Sequence, residues 1–451
     1  MVVESVHLLI LFEIEITKKG KKMSKKLRIL AAPMSSAGHI NAVHGLADEF
    51  RSRGHEVVFI LDEAYAGRLA KNGYDEMIVK ISYKVQDDYD SKEEFWLQYM
   101  LRNGHRFDTE PVNQMTDIVH EAMGIMFEQV DSIQEDYRKI IKEYKPDLII
   151  YDGYVGFPSL LESGVPLLWL YSAVVNGLFH SPDIPPANSG LALHGDRKEW
   201  KEYSDKCAVA FENLATKIFK ALAEVGVTVQ PGQLHPFPNF LTVFMQPKEL
   251  RYDIPIPDNC LPVDCFVRED KDAENWEIPE KLQNGPGKLI YFSMGSFCCA
   301  YVPLMRKLLK MLAKSPNRFI VSLGPYPDEV PGDNMWGQRY LPQTAILQKI
   351  DLLITHGGNN TVTEAFYYGV PMLVLPFFAD QHDNAQRIVE VGLGLKSNPF
   401  KVTEDELLSK IEEMVNNHEL REKMKSIGER IRKTNGRKEV VDFVENNLKK
   451  E

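Results

Sequence analysis

Twelve histidines are scattered along the 451 residues, and two of them stand where an apolar run gives way to a helical pattern. His39 follows the run 27–32 and the small-residue loop Ser35-Ser36-Ala37-Gly38. His356 follows the run 352–355 inside the segment Thr355-His356-Gly357-Gly358-Asn359-Asn360-Thr361. A helix start presents unpaired N–H groups and the positive end of a dipole, so it attracts anions and disfavours an imidazolium. The two histidines therefore suit different tasks. Around His356, glycines such as Gly358 let backbone amides approach a ligand, and Asn360 and Thr361 add short polar groups, a combination that fits a diphosphate. His39, kept neutral at its helix start, suits a general base at neutral pH. Such a base needs a carboxylate to orient its ring and meet the charge that forms. Asp152, just beyond the apolar run 148–151, ends at the matching edge of the sheet, whereas Asp147 begins that run and lies at its far end. His44, inside the helix, and His55, after Gly54, are poorer bases.

Further acidic groups sit at equivalent places. Glu364 lies one helical turn beyond Thr361, as half of a capping box or as a carboxylate for the two hydroxyls of a ribose. Asp380 and Gln381 follow the strand-like run 370–375, where they can hydrogen-bond sugar hydroxyls; Asp380 could equally be a helix N-cap. Asp88-Tyr89-Asp90 has the Asp-x-Asp spacing used for manganese, but it stands in a charged stretch with no buried strand before it and reads as a solvated loop. The five cysteines, Cys207, Cys260, Cys265, Cys298 and Cys299, have neither zinc spacing nor an even count, so reduced thiols are expected. No metal site is expected.

The elements that must position these groups are legible as alternating βα units. Runs 27–32, 56–61, 147–151 and 165–171 read as strands in the first half, and 289–293, 318–323, 352–355 and 370–375 in the second. Helical patterns cover 39–53, 360–368, 384–391 and 403–416, and the polar tail 419–450 reads as one or two helices. Nearly continuous apolar strands separated by helices imply parallel sheets covered on both faces. The fold class expected is α/β, with two doubly wound domains facing each other across a cleft; ligands in such sheets bind beyond the carboxyl ends of the strands. Prolines and charges recur over 247–287, which marks the junction. Residues 181–200 and 231–240 read as loops. The stretch 87–130 mixes charge with aromatic and methionine side chains, mostly core, with some able to line an adaptable apolar pocket.

From Tyr340-Leu341-Pro342-Gln343, through the His-Gly-Gly segment, to Asp380-Gln381-His382-Asp383-Asn384-Ala385, the chain resembles the family 1 UDP-glycosyltransferases. That resemblance implies the GT-B fold and transfer of glucose from UDP-glucose to a lipophilic hydroxyl compound such as a phenol or flavonoid, with no metal or other cofactor. It places Tyr340 on the uracil, where the family usually has tryptophan, and the main chain of Leu341 on the base. Gln343 and Glu364 then face the ribose. His356, Asn360, Thr361 and Ser296 hold the phosphates, and Asp380 and Gln381 the sugar. His39 and Asp152 match the family's catalytic pair. Phe157, Phe179, His180 and Trp96 are candidates for the acceptor pocket. The implied division is a leader at 1–25, an acceptor-binding domain at 26–265, a UDP-sugar-binding domain at 266–435, and a helix at 436–451 that packs back on the first domain. The family also suggests a detoxifying role acting on xenobiotics.

A net charge of −11 disfavours nucleic acid as a partner. Leu8 to Phe12 is apolar, but acids follow it and the lysines come after, unlike a secretory signal. No run is long enough to span a bilayer. A cytoplasmic, monomeric protein is expected. Two other readings share the scaffold: a nucleotide-sugar epimerase, which needs acid and base groups around the donor sugar, and a lipophile-binding protein, which has no use for His39.

Overall fold

A computed structural model of the chain describes residues 26–81, 92–154, 156–179, 181–227, 240–268, 275–324 and 330–448, with only the backbone described at 92–96 and 129. The leader expected at 1–25 and the Asp88-Tyr89-Asp90 motif lie outside these residues.

Two parallel sheets form the frame. The first runs in the order β3-β2-β1-β4-β5-β6-β7, from β1 (Arg28–Pro33), β2 (Glu56–Asp62), β3 (Asp75–Val79), β4 (Leu148–Asp152), β5 (Leu167–Tyr171), β6 (Leu241–Met245) and β7 (Cys260–Val263). The second runs β10-β9-β8-β11-β12-β13, from β8 (Leu289–Ser293), β9 (Arg318–Ser322), β10 (Met335–Gln338), β11 (Leu352–Thr355), β12 (Met372–Val374) and β13 (Gly394–Lys396). Both have the doubly wound order, in which the chain direction across the sheet reverses beside the first strand and opens a crevice at the strand ends. In the first sheet that point lies between β1 and β4, in register Pro33↔Asp152. In the second it lies between β8 and β11, in register Ser293↔Thr355.

The central strands β4, β5, β8 and β11 are buried along their whole length, as expected of strands covered on both faces. Periodicity missed β3, β6, β7, β10 and β13; all but β6, which is buried along its length, lie at the sheet margins. β7 contains Pro262, which cannot donate to a ladder and is tolerated at an edge; it falls within the stretch read as a junction. β10 and β13 are four and three residues long. β3 carries Asp75 and Glu76 and is only partly buried.

Helix α1 (Ala37–Ser52) follows β1 and buries Ile40, Val43, Leu46, Ala47 and Phe50 against the first sheet. Helices α2 (Lys92–Asn103) and α3 (His120–Ser132) occupy the aromatic- and methionine-rich stretch. Tyr99, Met100, Phe107 and Ile118 join the core of the second domain, Phe107 lying 4.8 Å from Phe377, so these side chains seal the domains together. Helix α4 (Arg197–Glu224) begins inside the stretch read as loop, capped by the Asp196 side chain on Lys198 N–H. In the second domain, α5 (Asn359–Tyr368) follows β11 and α6 (Asp380–Glu390) follows β12. The latter begins four residues earlier than its periodicity indicates. Helix α7 (His418–Thr434) backs α5, and α8 (Gly436–Asn447) crosses to the first domain, where Val440, Val441 and Val444 are fully buried beside Val43 and Leu46.

Candidate active site

His39 sits in the first turn of α1, and its Nδ1 lies 3.0 Å from Asp152 Oδ2 at the end of β4. That approach is off the hydrogen-bond line, so Oδ2 is close to the ring yet unsatisfied. Ser172, just after β5, completes the arrangement: its Oγ is 3.2 Å from His39 Nδ1, and its N–H donates to Asp152 Oδ1 at 3.3 Å. Tyr154 meets the imidazole edge-on at 5.0 Å. His39 is 5% exposed and Asp152 1%. With Nδ1 turned to the carboxylate and the hydroxyl, Nε2 is the nitrogen left to act as a base.

Across the crevice, the ring of His356 stands between two glycines. A Cβ on Gly295 would come within 2.4 Å of the ring, and one on Gly358 within 2.5 Å. Gly295 has φ +71°, a conformation glycine adopts freely. Thr355 Oγ1 is 3.3 Å from His356 Nδ1. The surrounding protein pushes the imidazole down to about 4 from its ordinary 6.5, although part of its edge is accessible. At neutral pH it is an uncharged donor. Ser296 is exposed in the turn after β8, and Asn360 and Thr361 open α5. The residues expected to hold the phosphates therefore gather at the ends of β8 and β11, the reversal point of the second sheet.

The same helix mouth grips the first domain. Asn359 Nδ2 donates to the carbonyls of Ser172 and Met245, and Asn360 Nδ2 to that of Gly38, each at 2.9 Å. The loop before His39 and the residue that touches its Nδ1 are thus both held from the opposite domain. Asn384 Nδ2 reaches Gly357 O at 2.9 Å and fixes the glycine loop.

Glu364 is 4% exposed and makes no capping-box contact: Gln343 Nε2 donates to its Oε2 at 2.6 Å and Arg268 Nη1 to its Oε1 at 2.5 Å. Tyr340 is 61% exposed, with the Arg339 guanidinium 5.3 Å from its ring centre, and Leu341 follows at the same rim.

Asp380 opens α6 after Ala379, whose φ of +51° and ψ of −135° are rare for a residue with a Cβ. Burial raises the Asp380 carboxyl to about 7, while the charge His39 can carry pulls it the other way. Gln381 points inward: its Oε1 accepts from Phe377 N–H at 2.9 Å and Phe378 N–H at 3.2 Å, and its Nε2 lies 3.7 Å from Cys298 Sγ. In this conformation its amide braces the loop that carries Asp380 rather than facing the crevice. One turn on, Asp383 accepts from Asn188 N–H at 2.6 Å and Gly190 N–H at 2.8 Å, which straps the proline-rich segment 181–196 over α6.

The acceptor-side expectations fare differently. Phe157 is a correction: its side chain is buried in the core on the face of the first sheet opposite α1, stacked on Tyr137 at 5.0 Å and packed on Tyr151. Phe179 packs on Phe244 in a buried cluster with Tyr171 and Ile184. His180 and the Trp96 side chain lie outside the described residues. Sequence reading missed Ser172, Asn359 and Arg268, whose partners are distant in the chain; only the place of Ser172 just past a strand end hinted at it. Among the described residues no group of three or more His, Cys, Asp or Glu side chains could hold a metal ion, and no helix is long and apolar enough to cross a membrane.

Two doubly wound parallel sheets, with His39 and Asp152 at the strand ends of one and the His356 glycine loop at those of the other, define the GT-B fold. Residues 237–433 match the family described as "UDP-glucoronosyl and UDP-glucosyl transferase". The chain is similar along its length to the NDP-glycosyltransferase YjiC of Bacillus subtilis, 23% identical and covering 94% of this chain and 98% of the relative. It is also similar to the uncharacterized UDP-glucosyltransferase YojK of the same organism, 27% identical over 92% and 96% of the two chains. Among solved structures, the kitacinnamycin glycotransferase has a TM-score of 0.65 at 20% identity, with 94% and 99% of the two chains covered. The calicheamicin glycosyltransferase CalG4 has a TM-score of 0.65 at 18% identity, with 94% and 98% covered. The second half of the chain thus resembles the UDP-glycosyltransferase family, and the chain is a glycosyltransferase, an enzyme that moves a sugar from a nucleotide sugar to an acceptor.

Proposed function

We propose that this enzyme transfers glucose from UDP-glucose to a hydroxyl of a small lipophilic acceptor, such as a phenol, flavonoid or xenobiotic alcohol, with inversion at the anomeric carbon. The observation that carries this reading is the pairing of His39 with Asp152 and Ser172, which the Asn359 and Asn360 bonds hold beside the His356 helix mouth of the other domain. His39 Nε2 accepts the proton of the acceptor hydroxyl. That oxygen bonds to the anomeric carbon from the face opposite the diphosphate, the bond to the phosphate oxygen breaks, and UDP leaves with the electron pair. Asp152 and Ser172 hold the ring and meet the charge it gains. Charge on the departing diphosphate is met by the His356 N–H, the amides opening α5, Asn360, Thr361 and Ser296, which stand in for a metal. Tyr340 supplies the stacking face for uracil, and Leu341 its backbone. Asp380 reads the sugar hydroxyls, and Gln381 holds it in place. The α-linked donor then yields a β-glycoside.

Two solved neighbours carry thymidine diphosphate, as their titles state for a spinosyn rhamnosyltransferase and for VinC, so a thymidine-linked donor is the second reading. Purified enzyme incubated with UDP-glucose or dTDP-glucose and a panel of phenols, followed by mass spectrometry, separates the cases. A hexose adduct formed from UDP-glucose supports the first reading. An adduct from dTDP-glucose alone supports the second, a new UDP-sugar supports epimerisation, and no product with either donor overturns transfer to this acceptor class.

A further inference from the structure

Arg268 lies in the segment that leaves β7 and enters the second domain, outside every motif that marks the donor site. Its guanidinium is largely buried, 13% exposed at the side chain, and its Nη1 donates to Glu364 Oε1 at 2.5 Å. Gln343 takes the other oxygen, Oε2, at 2.6 Å, and reaches Thr361 Oγ1 at 3.3 Å. Each carboxylate oxygen thus has one donor from the protein and keeps acceptor capacity. A vicinal diol needs two such oxygens, fixed in one plane.

Charge makes the arginine more than a brace. An ionised Glu364, 4% exposed, would stand near the place proposed for a diphosphate and repel it, since like charges interact strongly where water is scarce. A buried carboxylate left unpaired is also costly in itself. Arg268 cancels that charge while leaving the carboxylate able to accept hydrogen bonds. Its planar fork and fixed charge set direction as well as neutrality, which a lysine ammonium does not reproduce.

We propose that Arg268 is a positioning residue that sets the preference of this enzyme for ribonucleotide over 2′-deoxyribonucleotide donors, by holding Glu364 aligned on the ribose diol. The inference rests on the reading of Glu364 as the ribose acceptor, so the two are tested together. Calorimetric titration with UDP and with 2′-deoxy-UDP is made on the wild type and on Arg268→Gln, Arg268→Lys and Glu364→Gln, with thermal melting as the check of folding. The wild type is expected to bind UDP roughly 10- to 100-fold more tightly, the worth of one hydrogen bond to a charged acceptor. In Arg268→Gln that ratio is expected to fall to within about threefold, with Arg268→Lys between the two. A merely structural role would weaken both nucleotides equally and leave the ratio, and that result overturns the proposal. If Glu364→Gln erases the ratio and Arg268→Gln preserves it, Arg268 alone is refuted. A wild type with no preference between the two nucleotides refutes the ribose reading and this inference together. Should Arg268→Gln fail to fold, a wild-type ratio in Arg268→Lys overturns the role.

Discussion

Nδ1 of His39 is shared between Asp152 Oδ2 at 3.0 Å and Ser172 Oγ at 3.2 Å, and the carboxylate contact is off the hydrogen-bond line. Catalytic hydrogen bonds that are loose without substrate commonly tighten in the reacting complex. The carboxylate, and not the hydroxyl, is the group that stabilises an imidazolium. Asp152→Asn is therefore expected to lower kcat by roughly 10²- to 10⁴-fold, with the dissociation constant of UDP unchanged. Single-turnover kinetics with calorimetry checks both, and a kcat near wild type would show that the carboxylate does not stabilise the charge on His39. His39, Asp152 and His356 were legible in the sequence because each follows an apolar run or opens a helix, and Glu364 because it lies one turn beyond Thr361. Arg268 and Asn359 were not: their partners lie 96 and 187 residues away, so nothing local marks them. Phe157 looked like a lining residue by the same strand-end rule, but that rule gives position and not direction.

At the scale of elements, α5 is the platform for the helix mouth, and it is seated on α7 through Gly428. A Cβ there would lie 2.8 Å from Gly369 N and 2.9 Å from Tyr367 O, both backbone atoms that cannot swing aside. An alanine gains about 1 kcal/mol of helix propensity over glycine, whereas overpacking costs about 1–3 kcal/mol. The clash is expected to win or break even, so Gly428→Ala lowers stability by up to about 2 kcal/mol, read as a lower urea midpoint. A stabilised variant would show that the two helices can separate freely. The His356 ring gives a pH signature. Its imidazole, held at about 4 against an ordinary 6.5, contributes stability that is present above 6.5 and is lost as pH falls through 4. The half-buried Asp380 carboxyl, raised to about 7 from 3.8, acts in the opposite sense: its contribution is complete below 3.8 and fades as pH rises through 7. The difference in unfolding free energy between wild type and His356→Gln isolates the first effect. It is expected to shrink between pH 6.5 and 4, and a constant difference would mean the ring is not held neutral. Periodicity recovered the other strands and α1, α5 and α6, but missed the edge strands β3, β7, β10 and β13, which are short or only partly buried, and the buried interior strand β6, which follows a stretch read as loop.

At the scale of the whole molecule, the two domains are bound by polar contacts at the site itself as well as behind it. Asn359 and Asn360 hold the His39 loop and Ser172, Asp383 holds segment 181–196, and Arg430 of α7 pairs with Asp264 at 2.8 Å and Glu249 at 2.9 Å on the far side. His39 and the His356 helix mouth are thus carried by different domains and aligned by the contacts between them. That division of labour makes their roles separable. The direct test is His39→Ala, measured for turnover with UDP-glucose and a phenol, and for UDP binding by calorimetry. The expected result is a fall in kcat of roughly 10²- to 10⁴-fold with UDP affinity intact. Full turnover in this variant, or loss of UDP binding along with activity, would contradict a base on one domain acting on a donor held by the other.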